Sequence, residues 1–286
     1  MLYDCPFCHH RDASVFRNKE RMLTGEIRSI YSCNECRCLY PSPRKDEKES
    51  NDYISNLLTN KQDYTLRDYR NAVNKDNYVV MKLKEWINCE GAALDVGSFI
   101  GGFCSNLNKL GFDAYGLESQ DRAVAFARDN GLNVFHGSFS RSIPTELLNV
   151  KFSFVSLMES IYYIVDLKET FLRIYEILKQ DGYLLIQTIN ARSEFYEKNS
   201  LFVRYGDYVQ EYPSLDSLQF WLHKSGFSIV KLTALPVYHI NKLFKININV
   251  FGDMTQRLGV LLHMCHNIYK CDIERADKLV LLAKRN

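Results

Sequence analysis

A glycine-rich turn between two apolar segments constrains the fold of this chain more than any other feature. Residues 92–96 predict a strand, and the turn that follows carries Gly97 and Gly101 ahead of a helical stretch. A second apolar segment ends at Glu118, about 20 residues farther on. Glycines let the backbone approach a ligand closely, and a carboxylate at the next strand's tip can accept both hydroxyls of a ribose. The pattern therefore predicts a nucleoside pocket at the end of a βαβ unit.

The spacing of this turn separates it from two related motifs. Asp95-x-Gly97-x-x-x-Gly101 is not the G-x-G-x-x-G of dinucleotide sites, and no Lys-Ser/Thr pair follows to hold phosphates. An ordinary βαβ unit with a tight turn is the alternative interpretation. The wider chain predicts strands at 92–96, 114–118, 133–136, 152–158, 183–188, 228–234 and 279–283, and helices at 77–88, 102–110, 121–129, 168–179 and 215–224. This alternation indicates an α/β fold, with a mostly parallel sheet and helices on both faces.

Charge and hydropathy exclude several classes of protein. The formal net charge of the 286 residues is only +2, so nothing global favours a polyanionic partner, and nucleic acid is not expected. The N-terminus lacks the basic start and apolar core of a signal peptide. No run approaches the roughly 18 apolar residues of a membrane span. We therefore expect a cytoplasmic protein.

Four of the nine cysteines form two closely spaced pairs. Cys5 and Cys8 make one C-x2-C, Cys33 and Cys36 make the other, and residues 9–32 between them contain the predicted strands 14–16 and 27–32. Two such knuckles supply four thiolates to one tetrahedral ion, so the spacing predicts a structural zinc ribbon. Unpaired structural thiols or a redox pair are the alternatives. Substitute ligands would be Cys38, His9 or His10, whereas the isolated cysteines are expected to be small apolar fillers: Cys89, Cys104, Cys265 and Cys271.

The turn and the strand order resemble those of class I S-adenosylmethionine-dependent methyltransferases, whose first motif reads roughly Asp-x-Gly-x-Gly-x-Gly-x-Phe. Residues 179–186 are similar to the Leu-Lys-Pro-Gly-Gly turn that enters their fifth strand. More narrowly, the chain resembles zinc-ribbon methyltransferases of bacterial polysaccharide and natural-product pathways, in which the ribbon ends in a turn like Pro41-Ser42-Pro43. Some of these methylate deoxysugar nucleotides. The resemblance implies a Rossmann-like seven-stranded methyltransferase sheet, with a ribbon at 1–44, a linker or helical segment at 45–75 and a methyltransferase domain at 76–286.

The resemblance also implies which residues hold S-adenosylmethionine. Asp95 would bind the cofactor's ammonium group directly or through water, and Glu118 would accept the ribose hydroxyls. The expected cofactor-binding residues are Asp95, Gly97, Ser98, Gly101, Glu118, Ser138, Phe139 and Met158. Phe99 departs from the family, because it stands where most members have the middle glycine. We expect its ring to point toward the substrate side or the following helix.

No residue is singled out as a general base. Many relatives have Glu-His after strand four, but Tyr162-Tyr163 stands there in this chain. A base is needed only if the acceptor must lose a proton. Candidates by position alone are Glu159, Tyr162, Tyr163, Glu211 and His223, with Tyr205 and Tyr208 nearby.

Three functions stay open on the sequence. The first is methyl transfer to a small molecule, such as a sugar nucleotide or a cell-surface polysaccharide precursor. The second is RNA methylation with the ribbon as an RNA-binding module, which the low net charge disfavours. The third is a non-catalytic binding protein with the same fold. Residues 236–275 predict either a helix against the sheet edge or a homodimer contact, or a substrate lid.

Overall fold

The computed structural model describes residues 4–21, 26–44, 63–138, 143–193, 209–235 and 276–286, together with Glu49, Tyr196 and Ile273. The predicted site residues Phe139, Tyr205 and Tyr208 lie outside the described residues, as does all of segment 236–275 except Ile273.

The larger of two sheets has seven strands in the order β6-β5-β4-β7-β8-β10-β9. Its strands are β4 Gly91–Val96, β5 Phe112–Glu118, β6 Asn133–His136, β7 Phe152–Met158, β8 Leu178–Ile189, β9 Phe227–Leu235 and β10 Lys278–Arg285. All neighbours run parallel except β10, which is antiparallel to both β8 and β9. This confirms the predicted α/β fold with a mostly parallel sheet.

The central strands are buried on both faces, as parallel strands require. All seven residues of β7 are buried, and successive residues face opposite sides. Leu94 and Val155 pack into one hydrophobic cluster, whereas their neighbours Ala93 and Phe154 pack into a second cluster on the other face. Helices cover both clusters: α1 Leu66–Lys75, α2 Asn77–Trp86, α3 Gly102–Lys109, α4 Asp121–Asp129, α5 Thr145–Leu148, α6 Leu167–Ile177 and α7 Leu215–Lys224.

Helix α1 lies within the segment 45–75 that the sequence gives as linker or helical. Its start is defined by a capping box, in which the Thr65 side chain accepts from the Asp68 backbone and Asp68 accepts from the Thr65 backbone. No residue of α1 is fully buried, although Leu66, Tyr69 and Val73 recur at helical spacing.

The boundary between α6 and β8 differs from the prediction. Helix α6 ends at Ile177 rather than 179, and β8 begins at Leu178 rather than 183. The expected turn survives as an irregularity inside β8, where Asp181 has φ 62° and the pairing register with β7 shifts between Phe152 and Phe154.

The smaller sheet is antiparallel and comprises β1 Ala13–Arg21, β2 Ile27–Cys33 and β3 Leu39–Ser42. The sequence predicts only two strands in this region. Strand β3 was not predicted, because Pro41 within it favours a turn. This sheet packs onto the large one through a shared hydrophobic cluster. Among the helices of the described residues, none is both long and apolar enough to cross a membrane.

Candidate active site and metal centre

The glycine-rich turn lies at the carboxyl end of β4 and is held against β5. Gly97 and Gly101 have φ values of 77° and 78°, and a Cβ on Gly97 would lie 2.7 Å from Cβ of Ser160. Only glycine fits that position without displacing the loop after β7. The Gly97 amide donates to the Leu117 carbonyl oxygen over 2.8 Å. The turn is thus fixed at the sheet edge where a ligand of a parallel sheet binds.

Glu118 ends β5 beside this turn. Its Oε2 accepts the Phe99 amide at 2.8 Å, while Oε1 accepts the Gln120 amide at 2.9 Å and the Ser119 hydroxyl at 3.3 Å. Burial raises the pKa of Glu118, and the hydrogen bonds from the Phe99 and Gln120 amides and from Ser119 oppose that rise. A carboxylate offers about four lone-pair sites, so one remains, and rotation of the Ser119 hydroxyl frees a second. These are the two acceptors that a ribose diol requires.

Asp95 lies at the end of β4 with 1% of its surface exposed. The Ser156 hydroxyl donates to its Oδ1 over 2.7 Å. Burial, with smaller contributions from the charges of Asp76 and Glu118, raises the pKa of Asp95 to about 7. A bound cation would reverse this, because it stabilises the ionised carboxylate. The carboxylates of Glu118 and Asp95 therefore suit a ligand with a ribose at one end and a positive charge at the other.

The other predicted cofactor residues lie at the same edge. Ser98 is buried in the turn, and Met158 ends β7 with 7% exposure. Ser138 follows β6, next to Gly137, whose amide donates to the Glu118 carbonyl oxygen over 2.9 Å. All described members of the predicted set thus lie on one edge of the sheet.

Phe99 adopts the left-handed conformation that the middle glycine of the motif would take, with φ 50°. Its ring packs edge to face on Tyr64, the residue before the N-cap of α1, with centroids 5.1 Å apart. The Phe99 ring therefore packs toward the start of α1 rather than against the helix that follows the turn.

Glu159 follows β7 and is held by three side chains. Its carboxylate accepts from Lys278 Nζ at 3.0 Å, from the Tyr162 hydroxyl at 3.2 Å and from Gln187 Nε2 at 3.3 Å. The residue itself has φ 58°. Lys278 was missed from the sequence, although the antiparallel direction of the last strand places its first residue at the carboxyl edge. Tyr162 and Tyr163 form an edge-to-face pair at 4.6 Å beside this network.

The other two candidate bases do not join this group. Glu211 is 1% exposed, and its pKa is raised well above the usual range by burial. Arg44 Nη2 lies 3.9 Å from its Oε2, and neither oxygen accepts a hydrogen bond from the described residues. His223 is exposed near the end of α7, just before β9 begins at the opposite edge of the sheet.

The four paired cysteines converge in the small sheet. Their sulfur atoms all lie within 4.8 Å of one another, with Cys5 and Cys36 at 3.4 Å and Cys8 and Cys33 at 3.5 Å. Tetrahedral ligation at a Zn–S distance of about 2.3 Å separates sulfurs by about 3.8 Å, so the geometry fits zinc. None of the described cysteines forms a disulfide, and Cys38 Sγ instead points to the Leu39 carbonyl oxygen at 3.7 Å.

The small sheet covers two loops at the candidate active site. The Tyr212 amide donates to the Leu39 carbonyl oxygen over 2.7 Å, and Gln210 from the same loop donates to the Tyr162 carbonyl oxygen over 2.9 Å. Phe7 packs against aromatic rings of α6 and α7: Phe171, Phe220 and Trp221. The segment 209–212 therefore links the small sheet to the loop after β7.

Two arginines of the N-terminal module, Arg17 and Arg44, also contribute to this docking, and a third, Arg28, forms an ion pair within the module. Arg17 donates to the Tyr196 carbonyl oxygen and lies 3.6 Å from Glu20, and Arg28 pairs with Glu26 at 2.7 Å. Arg44 donates to the Val165 carbonyl oxygen at 3.1 Å. These three charges serve internal contacts rather than an open basic surface.

Comparison with known proteins identifies the domain. Residues 66–232, more than half of the chain, match the family model described as "Methyltransferase domain". A ubiquinone biosynthesis O-methyltransferase of Rickettsia bellii is 28% identical over 163 residues, which are 54% of this chain and 66% of the relative, just under two thirds of its length.

Solved structures share the fold. The magnesium protoporphyrin IX methyltransferase of Synechocystis PCC 6803, solved with bound SAH, is 12% identical with a TM-score of 0.54, over 84% of this chain and 100% of the other. A SAM-dependent methyltransferase of Thermotoga maritima is 18% identical with a TM-score of 0.51, over 84% of this chain and 97% of the other.

Proposed function

We propose that this chain, which belongs to the methyltransferase-domain family and is an S-adenosylmethionine-dependent methyltransferase, transfers the methyl group to a small-molecule acceptor. The observation that carries the proposal is the position of the small sheet. Its contacts through Leu39 and Tyr212 attach it to the loops beside the candidate active site, where it would form one wall of an acceptor pocket.

The residues at the carboxyl edge of the large sheet would each have a separate role in this reaction. Glu118 would hold the ribose, Asp95 would face the positive end of the cofactor, and the turn from Gly97 to Gly101 would lie against the methionine part. The sulfonium supplies an activated methyl group, so the protein contributes mainly alignment and exclusion of water. The Glu159–Lys278 pair would form the polar floor of the acceptor pocket, where either group can hold a hydroxyl.

The acceptor class is a finer proposal. Resemblance to zinc-ribbon methyltransferases favours a sugar nucleotide or a polysaccharide precursor, and the Rickettsia relative is named as an O-methyltransferase, which favours an oxygen acceptor. We further propose that Cys5, Cys8, Cys33 and Cys36 hold one structural zinc ion, supported by their mutual distances. A module this small gains most of its stability from such an ion.

Transfer of a radioactive methyl group tests the acceptor proposal. The protein would be incubated with labelled S-adenosylmethionine and, separately, with sugar nucleotides, with phenolic quinone precursors and with total RNA. We expect label in a small-molecule pool that is lost in a Glu118→Ala control. Label that enters RNA and resists removal of small molecules would contradict the proposal.

A further inference from the structure

Asp76 is a buried acid that the sequence did not single out. It lies between α1 and α2 with 2% of its surface exposed, and its Oδ2 has no hydrogen-bond partner among the described residues. Burial raises the pKa of Asp76 to about 6. An unpartnered buried carboxylate destabilises a fold, so its presence points to a ligand.

The position of Asp76 at the start of α2 makes its lack of a hydrogen-bond partner more informative. Asp76 is the N-cap residue of α2, where an aspartate normally accepts a backbone N–H of the first turn. No such side-chain bond is present here. By contrast, Asp166 caps α6 in the usual way and accepts the Glu169 amide at 2.9 Å. The Asp76 carboxylate therefore does not cap α2 and is instead buried in the interior.

Packing of α1 fixes where this carboxylate lies. A Cβ on Gly102 would come within 2.7 Å of the Ala72 backbone, and Asn106 donates to the Val73 carbonyl oxygen over 2.9 Å. The end of α1 is thus held directly on the helix that follows the glycine-rich turn. On the other side, the hydroxyls of Tyr78 in α2 and Thr233 in β9 lie 3.0 Å apart.

The charges around Asp76 define the kind of ligand. The Asp76 charge raises the pKa of Asp95, and the Glu159 charge raises that of Asp76, so the three carboxylates lie within electrostatic reach. Lys75 opposes this rise at both Asp76 and Asp95, and Lys278 opposes it at Asp76. Lys75 is exposed to solvent, however, and Lys278 is paired with Glu159 at 3.0 Å. Asp76 and Asp95 therefore form a negative region next to the turn, without a contacting cation from the described residues.

We propose that Asp76, together with Asp95, binds the α-ammonium group of the cofactor's methionine part. A compact ammonium with three donors suits two buried carboxylates within electrostatic reach of each other, and its charge would favour their ionised forms. Asp76 would thus position the donor from the helical segment that precedes the sheet. The proposal rests on cofactor use and not on the identity of the acceptor, so failure to find an acceptor leaves it unaffected.

Binding calorimetry with three ligands tests this role. S-adenosylmethionine and S-adenosylhomocysteine both carry the α-ammonium group, whereas 5′-methylthioadenosine keeps the nucleoside and lacks the amino-acid part. We expect Asp76→Asn to weaken the first two by about tenfold to a hundredfold, as for a hydrogen bond to a charged group, and to leave the third unchanged. Asp129→Asn, at the exposed end of α4, is the matched charge control and should change none of them.

Thermal unfolding without ligand separates binding from a structural role. Removing an unpartnered buried charge should leave the cofactor-free protein as stable as the native chain or more so, and Asp76→Ser, which can cap α2, should behave alike. Equal weakening of all three ligands, unfolding of both variants, or unchanged S-adenosylhomocysteine affinity would each overturn the proposal.

Discussion

The backbone amide of Phe99 donates to Oε2 of Glu118 over 2.8 Å, which joins the glycine-rich turn to the tip of β5. The same carboxylate therefore shapes the turn and faces the expected ribose. This dual role means that the two regions cannot move independently, and it determines how variants of either residue should behave.

We predict that Glu118→Ala weakens S-adenosylmethionine binding by about 1.5–3 kcal/mol, because the ribose hydroxyls lose a charged acceptor. The sheet should persist, since its strand pairing does not involve this side chain. Calorimetry measures the affinity and circular dichroism the fold. Glu118→Gln keeps one acceptor oxygen and should lose less, so equal losses in the two variants, or none, would place the nucleoside elsewhere.

Phe99→Gly should leave cofactor affinity within a few-fold and alter acceptor handling. A left-handed non-glycine residue costs roughly 1–2 kcal/mol, and the ring contact with Tyr64 returns about 0.5–1.5 kcal/mol, so the two terms nearly cancel in stability. Phe99→Ala keeps the backbone strain and loses the contact, and should be the less stable variant in chemical denaturation. If Phe99→Gly creates cofactor binding that the native chain lacks, the native turn is blocked.

The fold was largely predictable because its strands carry strong local signals. Apolar segments such as residues 152–158 coincide with β7, since a doubly buried strand must be apolar throughout. Strand β3 and helix α1 were harder, because Pro41 favours a turn and α1 has no fully buried residue. Both are stabilised by contacts with distant parts of the chain, which a local pattern does not contain.

The candidate site was predictable where a motif fixes the position and not where tertiary packing does. Gly97 and Glu118 follow from spacing alone. Asp76 and Lys278 come to the same edge through the packing of α1 and the reversal of β10. Glu211 was a candidate base by position, yet it lies buried next to Arg44 beneath the small sheet. Its burial depends on the docking of the small sheet, which no sequence spacing indicates.

Cofactor affinity should depend on pH through Asp95. Burial raises the pKa of this acid to about 7 in the cofactor-free protein, so the protonated acid stabilises the cofactor-free fold. This stabilisation is complete below a pH of about 4, which is the usual pKa of an aspartate, and it is lost as the pH rises through about 7. A bound ammonium favours the ionised form, so affinity should increase as pH rises from about 6 to about 7, below the range in which an α-amino group loses its own proton, with proton release in calorimetry. Asp95→Asn should flatten most of this dependence, leaving a contribution near pH 6 from Asp76. A pH profile that is unchanged in Asp95→Asn would contradict the assignment.

Zinc should be bound at one ion per chain and should stabilise the docked small sheet. Cys33→Ser removes one of four thiolates, so we expect it to lose the metal and expose the N-terminal 40 residues to protease. Phe7 would then leave its contacts with Phe171 and Trp221, and because these rings belong to the main hydrophobic cluster, the melting temperature should fall. Cys89→Ser, outside the cluster, is the matched control and should keep its metal.

If Cys33→Ser does not fold, chelation of the native protein gives the same readout in metal content and protease sensitivity. Fresh protein that contains less than about half an equivalent of zinc by elemental analysis would contradict the site.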